Sequence, residues 1–424
     1  MNLFLILLVG GLVSPLIKNF QFLKLFALFI LAVGSFFISM GNIQLFQIIV
    51  LLVFGAIIIS LHDEQKNTIS QSLFLASAST LFLEASTILE FVILFEALSI
   101  ISFVLAAQIK NKEEAEGAIK LFVAGALSSG IILLGLALFT LSGADINATT
   151  LEQNSMLGTI SIFIMLSAVM YKLTIVPMHA WAADSYAKID HSSAAILSGV
   201  IKTVVAIGAF NIFLPALQEM GTISVYILAT LSIITMTLGN FLALHQKRIS
   251  SILAYSSIAH AGYMLLTFAS VSSEFASNGL LYLAVAYIFM QSAVFVILND
   301  LKRSDNIETI SDLKGLSKRN PLYSLIFTLQ LFSLAGIPLL AGFISKTVAF
   351  YSAVDAGLWI VVLVALLNSA LSVGYYAWII KHIYFDENQK QEPVKVSNSA
   401  NLAQVILLGG TLYFGMFAAN IFVF

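Results

Sequence analysis

The chain has 424 residues, of which 59% are hydrophobic and only 10% are charged, and its formal net charge is −2. This composition excludes a soluble globular protein and predicts an all-α polytopic membrane protein, because apolar runs of about 20 residues, the length that spans a bilayer, recur along the chain. The sequence contains no cysteine, which excludes an iron–sulfur cluster held by thiolates and a c-type haem in this chain.

Hydropathy predicts about fourteen membrane-spanning segments. Residues 3–17 are apolar but lack a basic leader and a small-residue cleavage site, so we interpret them as the first span and not as a cleaved signal. In chain order the predicted spans cover residues 3–17, 22–40, 43–61, 69–86, 88–109, 117–141, 156–183, 192–214, 223–244, 249–270, 277–300, 322–350, 357–380 and 402–422.

Lysine and arginine are distributed unevenly between the predicted loops. Loops after odd-numbered spans hold 16 of the 20 basic residues, Lys24 and Lys390 among them, whereas loops after even-numbered spans hold acids such as Glu84 and Glu152 and no basic residue. Because basic residues accumulate on the cytoplasmic side of membrane proteins, this alternation predicts that both termini lie on the outer face. The loop 301–320, with five basic residues, is the largest predicted cytoplasmic feature.

The four remaining basic residues all lie within predicted spans: Lys120, Lys172, Lys202 and Lys346. A lysine at the centre of a membrane helix costs about 2.5–3.5 kcal/mol on insertion scales, so it usually serves a function. Lys172 and Lys202 fall near the middle of their spans, and this position predicts an ion path. Lys120 lies about three residues inside its span and could extend its amine to the interface instead. Lys346 has the same alternative at the outer face.

Two further ionisable groups share this depth, Glu96 and His260. A buried glutamate beside a lysine lowers the cost of both charges, so we expect Glu96 to pair with Lys172. His260 is either a packing histidine bonded to a neighbouring helix or a relay group that changes charge near neutral pH. His179 either joins the same path or caps freed carbonyls. A b-type haem between the two histidines is disfavoured because no second histidine pair accompanies them.

Two predicted spans are interrupted by proline. Pro177 follows Lys172 by five residues, and Pro338 precedes Lys346 by eight. Proline frees backbone groups at membrane depth, which is tolerated where protein or a water-filled cavity satisfies them. Broken helices at corresponding positions of two half-domains are typical of ion sites in transporters with internal repeats.

Small polar residues recur on several predicted helices. They either line water or allow helices to approach closely, and we interpret most of them as packing residues. Tyr255, five residues before His260, is a weaker candidate for a partner in a water wire. The serines concerned are Ser128, Ser129, Ser256, Ser257, Ser369 and Ser372.

Several motifs resemble those of the antiporter-like membrane subunits of respiratory complex I, and the resemblance extends from about residue 70 to 385. The Lys120 segment, together with a lysine at 346, is most similar to the subunits of N type, which lie nearest the quinone-binding end. The motifs are FEALS at 95–99, KLFVAGALSSG at 120–130, KLTIVPMHAW at 172–181, YSSIAHAGY at 255–263, LAGIP at 334–338 and GFISK at 342–346.

The resemblance implies a fold of fourteen helices containing two inverted five-helix repeats, with helices 7 and 12 broken. It implies peripheral helices over 1–68, a first repeat over 69–214, a second over 223–384 and a terminal loop and helix over 385–424. It also implies a proton channel in which Glu96 and Lys172 are the family's ion pair. Lys202 and His260 continue a hydrated axis that ends at Lys346.

The same resemblance implies a proton-translocating subunit of a complex I-type NADH:quinone oxidoreductase that carries no cofactor itself. NADH, flavin, iron–sulfur clusters and quinone would belong to other subunits. The expected partners are K-like and M-like membrane subunits and the lipid bilayer, with no nucleic acid, in the inner membrane of a bacterium. The alternatives are a subunit of a multi-subunit cation/proton antiporter and a scaffold with a vestigial polar axis.

The chain departs from the family pattern after Trp181. The family commonly has Trp-x-Pro-Asp followed by a turn that contains proline, whereas this chain has Ala182-Ala183-Asp184 and then Lys188-Ile189-Asp190-His191. The departure leaves the route of protons from the cytoplasmic side open.

Overall fold

A computed structural model describes residues 2–36, 38, 41–147, 156–387 and 392–417. These residues form helices joined by short connections, with one isolated β-bridge between Arg248 and Thr309. The prediction of an all-α protein is confirmed.

The structure contains both long helices and short ones that form the broken pairs. A π-helical turn, Ile196–Ile201, joins α9 to α10. The helices are α1 (Asn2–Val13), α2 (Phe20–Phe36), α3 (Asn42–Ser60), α4 (Lys66–Glu84), α5 (Ile88–Ala106), α6 (Lys112–Leu141), α7 (Met156–Leu173), α8 (Ala180–Lys188), α9 (His191–Ala195), α10 (Lys202–Glu219), α11 (Thr222–Leu244), α12 (Ile249–Ala269), α13 (Ala276–Asp305), α14 (Leu316–Arg319), α15 (Pro321–Ala335), α16 (Ala341–Asp355), α17 (Trp359–Tyr384) and α18 (Asn398–Met416).

Each predicted span coincides with a helix or with a broken pair of helices. Within the described ranges, nine helices are long and apolar enough to cross a membrane, and α1, α2 and α15 are shorter apolar helices. The span predicted over 156–183 is divided between α7 and α8, and the one over 322–350 between α15 and α16. The end of the span predicted over 402–422 lies outside the described residues, as do Glu152 and Lys390.

Helix α13 forms the centre of the bundle. All of its residues from 279 to 301 are buried, and it packs against α3, α9, α10, α12, α15, α16 and α18. A helix that is buried on every face lies in the interior of a bundle, so polar side chains on α13 face protein. By contrast, α5 turns Ile93, Ile100 and Val104 outwards, as expected of a helix that faces lipid or a neighbouring subunit.

The start of α5 is fixed by a capping box. Thr87 Oγ1 accepts a hydrogen bond from the Glu90 amide at 3.2 Å, and the Glu90 carboxylate accepts one from the Thr87 amide at 3.3 Å. This reciprocal pairing satisfies two otherwise unpaired N–H groups at the helix start. It therefore sets the position of Glu96, about two turns further along the helix.

Loops after the odd-numbered predicted spans meet at one end of the molecule, which we call the loop-bearing end. Lys110 Nζ lies 3.9 Å from carboxylate oxygens of both Glu64 and Asp190, and Arg248 pairs with Glu113 at 3.0 Å and Glu308 at 2.8 Å. These pairs join segments that lie far apart in the sequence, as expected if the basic loops share one side.

The prediction that Lys24 belongs to a loop is wrong. Lys24 lies inside α2, where its side chain is buried and its Nζ donates to the Ile59 carbonyl at 2.9 Å. That carbonyl belongs to the last turn of α3, whose C=O groups have no partner within the helix. The ammonium therefore caps α3 from the side.

Candidate functional site: a chain of buried ionisable groups

Two helix breaks at Pro177 and Pro338 shape the site. Between α7 and α8, Thr174 has φ +64°, and the Val176 amide donates to Thr235 Oγ1 at 3.1 Å. Between α15 and α16, Gly336 has φ +89° and Leu339 has φ +74°. Both predicted interruptions are confirmed, and protein side chains satisfy part of the backbone that they free, as the bilayer interior demands.

Lys172 on α7 and Glu96 on α5 do not form the predicted ion pair in the structure. Lys172 Nζ donates to Ser99 Oγ on α5, and Glu96 Oε2 accepts from Ser129 Oγ on α6 at 2.6 Å. Glu96 Oε1 is buried without a hydrogen bond in the described part of the chain, and the carboxylate is close enough to interact electrostatically with Lys172. Ser99 and Glu96 are three residues apart on α5, so the two acceptors are neighbours on its surface.

Lys202 is held at the junction of the π-helical turn and α10. It is buried, and its Nζ donates to Thr174 Oγ1 at 2.9 Å, to the Ser257 carbonyl at 3.2 Å and to Ser257 Oγ at 2.5 Å. These three bonds use the three N–H groups of an ammonium. Thr174 comes from the first helix break, so the break supplies a ligand to the second lysine. π-Helical turns are frequent at functional sites.

A cavity connects the two lysines. Its lining includes Lys172, Lys202, Ser102, Trp181 and Tyr186. The Lys202 ammonium also lies 5.8 Å from the centre of the Tyr186 ring. The cavity wall is mostly apolar. An ion that crosses the cavity therefore needs the amines of Lys172 and Lys202 as polar groups to bind.

His260 and Lys202 both bind the same turn of α12. His260 Nδ1 donates to the Ser256 carbonyl at 2.9 Å, and its ring lies 5.1 Å from that of Tyr287. Tyr287 in turn donates to Ser257 Oγ at 2.8 Å, and Ser257 binds Lys202. Nε2 of His260 is buried near the Leu334 carbonyl but makes no hydrogen bond of good geometry to it.

Lys346 is buried at the second helix break. Its Nζ donates to the carbonyls of Leu334 at 3.0 Å and Ala335 at 3.1 Å and to Ser369 Oγ at 3.0 Å. The two carbonyls end α15, where the helix dipole places partial negative charge and favours a cation. The alternative in which this amine extends to the outer face is therefore wrong in this structure. The Leu334 carbonyl also links Lys346 to the surroundings of His260.

Lys120 does not join this chain of groups. Its Nζ pairs with Glu116 at 2.6 Å and Asp184 at 2.6 Å, and about a third of the side chain is exposed, at 36%. Lys188 pairs with the same Glu116 at 2.6 Å. The interfacial alternative for Lys120 is the one that the structure supports, because the amine reaches the carboxylates at the loop-bearing end.

In the described residues, His179 and Tyr255 form no hydrogen bond with Lys172, Lys202 or Lys346. His179 begins α8, and its Nδ1 is buried without a hydrogen bond in the described residues. Tyr255 is half-buried on α12 near Asp184. Neither residue contacts His260 in the hydrogen bonds and ring pairs of the described residues, so the weaker role proposed for Tyr255 as its partner finds no support.

Sequence reasoning underrated the hydroxyl groups and missed one acid. Ser129, Ser257 and Ser369 bind ionisable groups, although packing was their expected role, whereas Ser128 donates to the Ala168 carbonyl across a helix contact as expected. Asp300, buried near the end of α13, accepts from the Tyr323 hydroxyl and lies 3.5 Å from His62 Nε2. Asp300 was missed because it is the last residue of a predicted span, where an acid is expected to face solvent.

Comparison with known proteins places this arrangement in a family. Residues 85–372 match the family described as NADH:quinone oxidoreductase/Mrp antiporter, TM. The chain is 33% identical over 364 residues to NADH-quinone oxidoreductase subunit N of Flavobacterium johnsoniae, covering 82% of this chain and 78% of that protein. It is 32% identical over 339 residues to F(420)H(2) dehydrogenase subunit N of Methanosarcina mazei, covering 76% of this chain and 69% of that protein.

Solved structures share the fold over nearly the whole chain. A chain of respiratory complex I from Thermus thermophilus superposes with a TM-score of 0.83 and 25% identity, covering 99% of this chain and 98% of that one. A chain of the Mrp complex from Dietzia superposes with a TM-score of 0.87 and 16% identity, covering 97% and 92%. The chain therefore belongs to the family of antiporter-like membrane subunits shared by NADH:quinone oxidoreductases and Mrp antiporters, and within it to the subunit N type.

Proposed function

We propose that this chain translocates protons as a membrane-arm subunit of a complex I-type NADH:quinone oxidoreductase. The observation that carries the proposal is the series of ionisable groups in the interior, Glu96, Lys172, Lys202, His260 and Lys346, of which the last three are buried. Each lysine is bound by hydroxyl or carbonyl groups. Ionisable residues kept inside a membrane protein usually mark an ion or proton path.

The Glu96–Lys172 couple is the proposed switch. When the Lys172 ammonium moves from Ser99 to the unbonded Oε1 of Glu96, the charge pair neutralises itself, and its effect on Lys202 across the cavity changes. A proton on Lys202 then passes along the hydroxyls of Ser257 and Tyr287 towards His260 and Lys346. Moving one charge through the membrane potential costs about 2.3 kcal/mol per 100 mV, which quinone reduction elsewhere in the complex must supply.

The same proposal includes the number of membrane crossings, the internal repeats and the orientation of the chain. The chain would cross the membrane fourteen times, with inverted repeats over 69–214 and 223–384 and with peripheral segments over 1–68 and 385–424. Both termini would face the outside of a bacterial inner membrane, and K-like and M-like subunits would flank the chain. The two broken pairs, α7/α8 and α15/α16, support the repeat because each break lies beside one interior lysine.

The experiment is a comparison of Lys172→Ala and Glu96→Ala with the unaltered complex in inverted membrane vesicles. We expect electron transfer to an artificial acceptor, which reports assembly, to persist, and the proton-to-electron ratio to fall. A normal ratio in both variants would overturn the relay.

Purification of the native complex distinguishes the proposed oxidoreductase subunit from the main alternative, an antiporter subunit. Copurified subunits with flavin and iron–sulfur centres would support the oxidoreductase, whereas a complex without redox subunits that exchanges cations for protons would identify an antiporter.

A further inference from the structure

A second polar region starts at the loop-bearing end, in the segment where the chain departs from the family pattern. A surface pocket there is lined by Glu64, Lys110, Asp190, His191, Asn299 and Lys302. His191 and Asn299 are nearly fully buried, at 5% and 4% exposure. His191 Nδ1 and Asn299 Nδ2 nevertheless have no hydrogen-bond partner in the described part of the chain. Buried polar atoms without partners are uncommon and often indicate a site for water or an ion.

Asp190 is tied to the wall of this pocket. Gln65 Nε2 lies 3.1 and 2.9 Å from the two carboxylate oxygens of Asp190, 3.0 Å from Ser192 Oγ and 3.1 Å from Asn299 Oδ1, and these acceptors share its two N–H groups. The Asp190 carboxylate also accepts from the Ser192 amide at 3.2 Å and caps α9. The network fixes His191, the next residue, at the inner end of the pocket.

Polar side chains continue from the pocket to Lys202 along the contact between α9–α10 and α13, which we call the α9–α13 seam. Gln291 lies four residues after Tyr287 on α13 and shares its face. Phe295 separates Gln291 from Asn299, and its ring lies 6.3 Å from that of His191. In this interval Ser292 Oγ donates to the Ala195 carbonyl at 3.3 Å. Gln291 Nε2 donates to Ser198 Oγ at 3.4 Å, and its Oε1 is buried without a partner in the described residues. Tyr287 donates to Ser257 Oγ, which binds Lys202. From His191 to Lys202 the seam is about 16 Å long, at 1.5 Å per helical residue.

We propose that His191, held by Asp190, collects protons at the loop-bearing end and passes them along the α9–α13 seam to Lys202. The inference rests on the proposed function, because it supplies that axis with its protons. The imidazole accepts a proton at its unpartnered Nδ1 from hydronium in the pocket, which is left as water. The imidazolium then releases a proton through seam water to Lys202, whose amine is neutral once its own proton has passed towards His260. The imidazole returns to neutrality and the amine becomes an ammonium, so charge and atoms balance.

Charges of both signs surround His191. Burial disfavours the protonated ring, and the charges of Lys302 on α13 and Arg248 at the start of α12 also oppose it, whereas Asp190 and Glu308 favour it. Lys302 and Arg248 are themselves paired with Glu308, at 2.8 Å each. No single fixed charge therefore dominates the ring.

The experiment measures proton uptake by the whole complex in vesicles, with two variants in the path. His191→Ala removes the collecting group, and Gln291→Leu removes polarity from the seam at nearly constant volume. We expect both to slow proton uptake by about tenfold or more, the scale on which a positioned proton-transfer group acts. Added imidazole should restore His191→Ala and leave Gln291→Leu slow, because only the former lacks a proton carrier.

The chain offers matched controls. His245→Leu replaces an exposed histidine bonded to its own helix. Gln404→Leu replaces a buried glutamine that contacts another face of α13, at the Ala293 carbonyl. Both should pump normally. If His191→Ala fails to assemble, His191→Gln keeps the volume and polarity and still cannot carry the proton.

The variant Lys202→Met distinguishes failure of this inference from failure of the proposed function. Normal pumping by Lys202→Met overturns the proposed axis itself. Loss in Lys202→Met with normal pumping in both path variants overturns only the α9–α13 seam. A slow His191→Ala variant that imidazole does not restore would show that His191 is structural, which also overturns the inference.

Discussion

The Lys172 ammonium is bound by the hydroxyl of Ser99, while Glu96, one turn earlier on the same helix, accepts from Ser129. The lysine and the acid thus have different hydroxyl partners, although Ser99 and Glu96 lie three residues apart on α5. In the proposed switch, the Lys172 side chain exchanges Ser99 for Glu96 as its acceptor.

Replacing Ser99 by alanine should leave Lys172 with Glu96 as its nearest acceptor. We expect proton pumping to fall about tenfold, which corresponds to 1.4 kcal/mol. The reason is that the state in which Ser99 binds Lys172 loses a charged hydrogen bond worth about 1.5–3 kcal/mol. Ser99→Thr should restore most of the rate. Ser72→Ala is the control, since Ser72 is buried on α4 and donates to the Thr68 carbonyl of its own helix. Equal rates in the two alanine variants would contradict the role of Ser99.

Lys346→Met should abolish pumping and also lower stability. The substitution leaves the Leu334 and Ala335 carbonyls without their donor, and an unsatisfied buried group costs about 1–3 kcal/mol. The melting temperature of the purified complex and its proton-to-electron ratio measure the two effects. Lys381→Met, at the exposed end of α17, is the control. A variant that pumps at the normal ratio would remove Lys346 from the axis.

Lys120→Ala should have little effect. The amine sits in partly exposed ion pairs, and such pairs contribute little to stability because solvent screens them. We expect pumping within about twofold of the unaltered complex and an unchanged melting temperature. Loss of pumping comparable with that of Lys172→Ala would place Lys120 in the path after all.

Gly342→Ala should destabilise the second break. A Cβ at this position would collide with the Ser333 carbonyl, and backbone cannot move aside as a side chain can. Overpacking costs about 1–3 kcal/mol. Gly130→Ala is the matched helical control, because nothing lies within 4 Å of its added Cβ. Thermal unfolding of the detergent-solubilised complex compares the two, and equal melting temperatures would contradict the close contact.

Acid should loosen the loop-bearing end. Partial burial raises the pKa of Glu308, but its bonds to Lys302 and the charge of Arg248 outweigh this and hold the pKa below its usual 4.5. A carboxylate with a depressed pKa stabilises the folded state above its unfolded pKa, and this contribution is lost as pH falls through the folded value. The protection of the amides over 302–313 against hydrogen exchange, relative to the intrinsic rate at each pH, should therefore fall below the usual pKa, and Glu308→Gln should show the lower protection at neutral pH. Protection that does not change with either would refute the assignment.

Much of this arrangement was accessible from the sequence. The interior lysines and both proline breaks were predictable because charge and proline are costly in a bilayer and stand out against apolar helices. The partners were not. Ser99 lies 73 residues from Lys172, and Asp184 lies 64 residues from Lys120, so packing alone decides that they meet. The π-helical turn before Lys202 has no sequence signature in ILSGVI that would separate it from an ordinary helix.

The acceptors around Lys346 and Lys202 are uncharged hydroxyl and carbonyl oxygens. An amine in such surroundings leaves no stranded anion behind when it deprotonates, and the same hydroxyls can turn and donate to its lone pair. Both forms of the side chain thus keep their hydrogen bonds. Because these acceptors carry no charge, each site can hold its amine with or without the extra proton. Reprotonation of the amine therefore requires no rearrangement of the helices.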